Sequence, residues 1–203
     1  YGVHDGSIYV GNLRGAKATD VYTCRGDARG ETYVPTFTQH GFRYAEVSGL
    51  PAPLLDEQIV ALEMHTDVKQ HGALAFSAPM LNAIQHMVVW GQKANVMSGV
   101  PTDCPQRDER RGWTGDSALT AEEAVMNYGM GAVYTRWLLQ FEDDQTAAGA
   151  SNNFVPALNS GAGAPNWQSA YPAIVWALYN YYGDVGPAEA HHASAAAAAP
   201  HRL

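Results

Sequence analysis

The chain has 203 residues, 46% of them hydrophobic, with five Trp, eleven Tyr and five Phe, and a formal net charge of −8. That apolar content is enough for a packed core in one large domain or two small ones and argues against disorder over most of the length. The acidic balance argues against nucleic acid and anionic membrane surfaces as partners, because both need a cationic face; it leaves neutral glycans open. No stretch approaches the roughly 20 apolar residues of a membrane span.

Residues 1 to 67 read as β structure. Ser7-Ile-Tyr-Val10, Asp20-Val-Tyr-Thr-Cys24, Phe42-Arg-Tyr-Ala-Glu-Val47 and Gln58-Ile-Val-Ala-Leu-Glu-Met64 are rich in β-branched and aromatic residues and are separated by Gly, Pro and Asp clusters. From about residue 70 the period changes. Leu74, Ala78, Leu81, Ile84 and Val88 recur at three and four, which predicts a helix with one apolar stripe. Pro79 suits its first turn, and Ser98-Gly99 is read as its stop. Ser117 to about Gln140 predicts a second helix, weakened in the middle by Gly129 and Gly131. Residues 142 to 166 are Gly/Asn/Ala-rich and predict a long loop, a type often used as a functional rim. A third helix is expected from about Ala170 to Tyr182, closed by Gly183.

The two ends differ from those of an intact protein. The chain starts at Tyr1 without an initiator Met or a signal-peptide pattern, and ends in an alanine-rich run with no periodic apolar face beyond alanine. A fragment of something longer, or a reading frame lost near Glu189, is the expectation. Cys24 and Cys104 lack metal-type spacing, so no zinc site is expected, and a disulfide between them stays open. The eight His show no ligand spacing either, so no metal and no cofactor is expected.

Residues 103 to 116, Asp103-Cys-Pro-Gln-Arg-Asp-Glu-Arg-Arg-Gly-Trp-Thr-Gly-Asp116, gather four carboxylates, three arginines and a Trp in a chain only 16% charged. Pro105, Gly112 and Gly115 rule out a plain solvated helix. Carboxylates beside a Trp suit a pocket that grips a sugar and protonates a glycosidic oxygen. A general acid has to hold its proton near neutral pH, so nearby Asp103, Asp108 and Asp116 favour that role for Glu109 and the arginines oppose it. The competing reading is a knot of salt bridges, with Arg107 and Asp108 as natural members. The residues alone leave both open.

The fourteen-residue segment resembles, almost letter for letter, the signature loop of the α-L-rhamnosidases of glycoside hydrolase family 78. Tyr33-Val-Pro-Thr-Phe-Thr-Gln-His-Gly-Phe-Arg-Tyr-Ala-Glu-Val47 resembles the β domain before the catalytic barrel of that family, and the run from Trp167 to Asp184 resembles a later helical segment. The resemblance covers roughly residues 10 to 190. It implies the end of a β-sandwich domain (1–67), the first helices of an (α/α)6 barrel (68–190) and an alanine-rich tail (191–203). The implied activity is inverting hydrolysis of terminal α-L-rhamnose from a rhamnose-containing glycoside or polysaccharide. Position by position, Glu109 matches the general acid, Asp103 and Asp116 match acids that hold rhamnose hydroxyls, and Trp113 matches the residue that packs on the sugar. Arg107 is expected in the same pocket, Asp108 beside the acid, and Trp167 as a second sugar platform.

Two departures accompany the resemblance. Many members read Trp-Gly-Asp-Ala where this chain reads Trp167-Gln-Ser-Ala170. The general base of the family is a Glu on a later barrel helix, which would fall past Leu203. The rival reading is therefore a truncated, inactive product with at most weak sugar binding. Glu122-Glu123 is read as a solvated helix face, and Trp90, Trp137 and Trp176 as core residues rather than sugar platforms.

Overall fold

The computed structural model describes residues 3–4, 6–102, 104–159 and 161–198. Two units gather separately: Tyr1–Glu63 together with Cys104–Arg110, and Met64–Asp103 together with Arg111–Leu203.

In the first unit, β1 (Val3–His4) and β2 (Ser7–Ile8) form a short antiparallel hairpin that turns through Gly6 at φ +82°. A 3-10 turn follows at Gly11–Leu13, and a second lies at Asp56–Gln58. The strands expected at 20–24, 42–47 and 58–64 do not appear as ladders among the described residues. These segments have strand-like composition, but a ladder needs a neighbour to satisfy its N–H and C=O groups. None pairs with them here, and Val21, Val60 and Leu62 stay exposed. Carboxylates do part of the organising instead. Glu31 accepts hydrogen bonds from the Tyr22 hydroxyl (2.6 Å) and from the backbone N–H groups of Arg25, Gly26 and Asp27. Those four donors hold its carboxyl down to about 2, the Tyr22 hydroxyl contributing most. Both cysteines are free thiols.

The second unit is helical. α1 (Pro79–Ala94) starts with Pro79 in its first turn, as its missing N–H allows. Its expected apolar stripe does not face a core: Leu81 and Ile84 are exposed, and only Val89 packs against the buried cluster. Ser98-Gly99 is not a simple stop. Both residues have positive φ (+57° and +81°) and form the turn of a hairpin between β3 (Val96–Met97) and β4 (Val100–Pro101).

The single helix expected from Ser117 to Gln140 is two helices, α2 (Thr114–Asn127) and α3 (Gly131–Asp144). Tyr128 is extended between them and bridges to Gln70. The Tyr182 hydroxyl donates to the Tyr128 carbonyl and accepts from Met130 N–H, at 2.9 and 3.0 Å, so a distant side chain holds the break. The long loop then leads to α4 (Pro165–Gln168) and α5 (Ala170–Tyr182), which ends at Gly183 in the left-handed conformation, as read from the sequence.

The alanine-rich run departs from its expectation. It is helical as α6 (Gly186–Ala198), with His191, Ala195 and Ala198 buried. Alanine lets helices approach closely, and His191 Nδ1 meets the Tyr171 hydroxyl at 2.9 Å and Glu142 at 3.5 Å. Trp137, Phe141, Tyr171, Ile174 and Leu178 are fully buried at the centre of this unit. Trp137 donates its indole N–H to the Val155 carbonyl. Trp90 and Trp176, also expected in the core, are 47% and 58% exposed.

Candidate active site

The signature loop divides between the units. Cys104–Arg110 belongs to the first and Arg111 onward to the second. Asp103 lies outside the described residues.

Glu109 is one of the less exposed charged side chains of the first unit, at 18%. Its Oε1 lies 2.6 Å from Arg14 Nη2 and 3.2 Å from Arg107 Nη2. Arg14 also reaches Asp108 Oδ1 through Nε (3.0 Å) and Nη2 (2.6 Å). The Arg14 guanidinium holds the Asp108 carboxyl below the usual aspartate range, and Asp108 holds Arg14 above its own. Arg107 bonds the Cys104 sulfur, and its N–H closes a turn onto the Cys104 carbonyl at 3.0 Å. Arg110 donates to the carbonyls of Arg107 (3.1 Å) and Gln39 (2.7 Å). Gly41 makes room for this segment, since a Cβ there would lie 2.5 Å from Gln106 Cβ. The competing reading, a knot of ion pairs within the loop, is met in part: Arg107 pairs with Glu109, while Arg110 bonds backbone carbonyls, Arg111 lies over Phe154 and Asp108 pairs with Arg14 from outside the loop.

In the second unit, Trp113 is extended and bridges to Phe154, their rings 5.4 Å apart in an edge-to-face arrangement. Arg111 lies over the other partner, its guanidinium carbon 4.5 Å from the Phe154 ring centre. The Gly112 carbonyl accepts from Val155 N–H at 2.9 Å, and a side chain at Gly112 would collide with the Val155 carbonyl. Thr114 opens α2 with its hydroxyl and N–H on the Asn153 carbonyl, at 3.0 and 2.9 Å. Asp116 is in the first turn of α2, where the helix dipole favours a carboxylate. Trp167, on α4, lies against Gly115 so closely that a Cβ there would sit 2.8 Å from the indole. The indole N–H groups of Trp113 and Trp167 are buried and have no acceptor among the described residues.

Residues 69–198 match the family model of the bacterial alpha-L-rhamnosidase 6 hairpin glycosidase domain. The chain belongs to the bacterial alpha-L-rhamnosidases. Residues 3–65 match the concanavalin-like domain of the same rhamnosidases. An alpha-L-rhamnosidase of Streptomyces avermitilis is 44% identical over 181 residues, covering 89% of this chain and 17% of the relative. The Streptomyces avermitilis alpha-L-rhamnosidase structure complexed with L-rhamnose aligns over 95% of this chain and 19% of its own, at TM-score 0.90 and 41% identity. A native rhamnosidase structure from Aspergillus terreus aligns over 96% and 23%, at TM-score 0.88 and 32% identity. The chain thus spans about a fifth of the length of the curated relatives it matches.

Several residues near these sites carry no sequence signal. Arg14 is 94 positions from Asp108 and follows no motif. Phe154 was hidden in a loop read only as polar. Glu123, read as solvated, is half-buried; burial pushes its carboxyl up, and Asn127 Nδ2 donates to it at 2.8 Å. Among the described residues no group of His, Cys, Asp and Glu suits a metal ion, and no helix is long and apolar enough to cross a membrane. A shallow hollow lined by Arg136, Leu139, Tyr182 and Asp184 contains none of the residues singled out from the sequence.

Proposed function

We propose that this chain supplies the proton-donating half of an inverting α-L-rhamnosidase built on an (α/α)6 barrel, acting on a rhamnose-containing glycoside or polysaccharide. Glu109 is the general acid. Asp103 and Asp116 hold rhamnose hydroxyls, Arg107 steadies Glu109, Trp113 forms an apolar wall for the deoxysugar and Trp167 a second platform. The observation that carries this reading is the match of the segment holding Glu109 to the rhamnosidase six-hairpin glycosidase domain, with the Glu109 side chain only 18% exposed. The rhamnose complex of the Streptomyces avermitilis relative supports the choice of sugar.

Inversion also needs a carboxylate base that activates water from the far face of the sugar. In this reading the base is a Glu that these residues do not contain. The isolated chain is therefore expected to hydrolyse aryl α-L-rhamnosides at background rate; turnover comparable to an intact relative would overturn that half of the reading. The acid is tested in a hybrid, with this chain replacing the matching stretch of the Streptomyces avermitilis enzyme. Glu109→Gln should lower kcat by about 10²–10⁴-fold. A variant that keeps most of its kcat would remove Glu109 from the role.

A further inference from the structure

Arg14 has no place in the motif that points to the acid, yet it reaches two of the motif's carboxylates, Asp108 and Glu109. The short 3-10 turn at Gly11–Leu13 presents it, anchored by Leu13, the buried apolar side chain of the first unit. Its backbone is at φ +54°, ψ −117°, a conformation that a side chain other than glycine adopts only when the surroundings hold it there. Those surroundings are visible. The guanidinium spans two consecutive carboxylates, taking Asp108 Oδ1 through Nε and Nη2 and Glu109 Oε1 through Nη2. A Cβ at Gly15 would come within 3.1 Å of Asp108 Oδ2. Asp108 is thus drawn onto the turn itself.

Two guanidinium groups, Arg14 and Arg107, each bring an Nη2 close to Glu109 Oε1, at 2.6 and 3.2 Å. On Asp108 the Arg14 fork makes charge-assisted hydrogen bonds through both Nε and Nη2.

We propose that Arg14 is a positioning residue: it locks Asp108 to the turn, holds Glu109 by an ion pair, and meets the charge left on that carboxylate when its proton departs. This rests on the reading of Glu109 as the acid. In the step, the O–H bond of the Glu109 carboxyl breaks and its electron pair stays on the carboxylate, which Arg14 and Arg107 face. The proton forms a bond to the glycosidic oxygen as the C–O pair moves onto that oxygen. Water adds to the sugar carbon, and its proton goes to the carboxylate base. Arg14 is consumed in nothing; its effect is to hold the carboxylate in place and to meet its charge.

The clamp is testable in the 203-residue chain itself, by following the Asp108 carboxyl with ¹³C NMR across acid pH. In Arg14→Met the Asp108 titration should move up into the ordinary aspartate range, and Arg14→Lys should bring it part of the way back. The Trp137 indole signal reports that the second unit is intact in each variant. An Asp108 titration unchanged in Arg14→Met would overturn the clamp. Its consequence for chemistry is read in the hybrid enzyme with two substrates. Arg14→Met should cost at least about 10-fold more kcat on an alkyl rhamnoside, whose leaving group needs a proton, than on a dinitrophenyl rhamnoside, whose leaving group does not. Arg14→Lys should recover part of that difference. Equal losses on both substrates would make Arg14 merely structural and overturn the proposal. Failure of the underlying reading looks different: Glu109→Gln would then be indifferent to the leaving group while the Asp108 titration still moved with Arg14.

Discussion

The two units of this chain are stabilised in opposite ways. The second has a continuous apolar core of Trp137, Phe141, Tyr171, Ile174 and Leu178, with Trp137 bonded to the Val155 carbonyl and Tyr171 to His191. The first buries only Leu13 among its described apolar side chains and leaves Val21, Val60 and Leu62 exposed. Its order comes from carboxylates: Glu31 gathering one turn, Asp108 and Glu109 gripped by Arg14. The candidate acid lies in the unit organised by charge. The aromatic residues proposed to touch the sugar lie in the unit organised by packing. Structure in the first unit should therefore answer to pH and salt, and structure in the second to cavities and clashes.

The largest expected effect tests the packed unit. Trp137→Ala removes a fully buried indole and its bond to the Val155 carbonyl, and should cost about 3–5 kcal/mol in denaturant unfolding of the chain. A loss below about 1 kcal/mol would mean the core is not where the stability resides. Gly115→Ala comes next. Its methyl group would press on the Trp167 indole, at an expected cost of about 1–3 kcal/mol. In the hybrid enzyme the same change should raise KM for rhamnosides more than it lowers kcat, because the displaced group is a platform and not the acid. An unchanged KM would take Trp167 out of the sugar site.

The charged unit yields smaller effects with a distinct signature. Raising salt to about 1 M shortens the screening length to about 3 Å and should release the exposed Arg14–Asp108 pair, read as an upward move of the Asp108 titration, while Trp137 fluorescence stays constant. A titration insensitive to salt would show that hydrogen-bond geometry, not charge, sets Asp108. The smallest effect is at Glu31. Its folded value, about 2, lies below the ordinary glutamate value of about 4.3, so its contribution is complete above the latter and is lost as pH falls through the former. The Gly26 and Asp27 amide signals should follow that low midpoint and lose the dependence in Glu31→Gln. A midpoint in the ordinary glutamate range would show that the four donors do not hold the carboxylate.

The same division explains what could be read in advance. α5 and its Gly183 terminus were legible because a helix is a local pattern with a local stop. The break between α2 and α3 was not, because the Tyr182 hydroxyl that holds Tyr128 and Met130 comes from more than fifty residues away. Strand-like segments in the first unit were recognisable by composition, but pairing depends on a neighbour that composition does not supply. The burial of α6 was missed because a run of alanine carries no period to read. In the candidate site, the motif marked Glu109, Arg107, Trp113 and Asp116 as worth examining, while Arg14 and Phe154 became visible only as contacts.

The central claim is that Glu109 delivers a proton to the leaving oxygen, and the dependence of its loss on the leaving group tests this most directly. In the hybrid enzyme, kcat for Glu109→Gln should fall by about 10²–10⁴-fold on an alkyl α-L-rhamnoside and by far less on a dinitrophenyl α-L-rhamnoside. Equal falls on the two substrates would contradict the account.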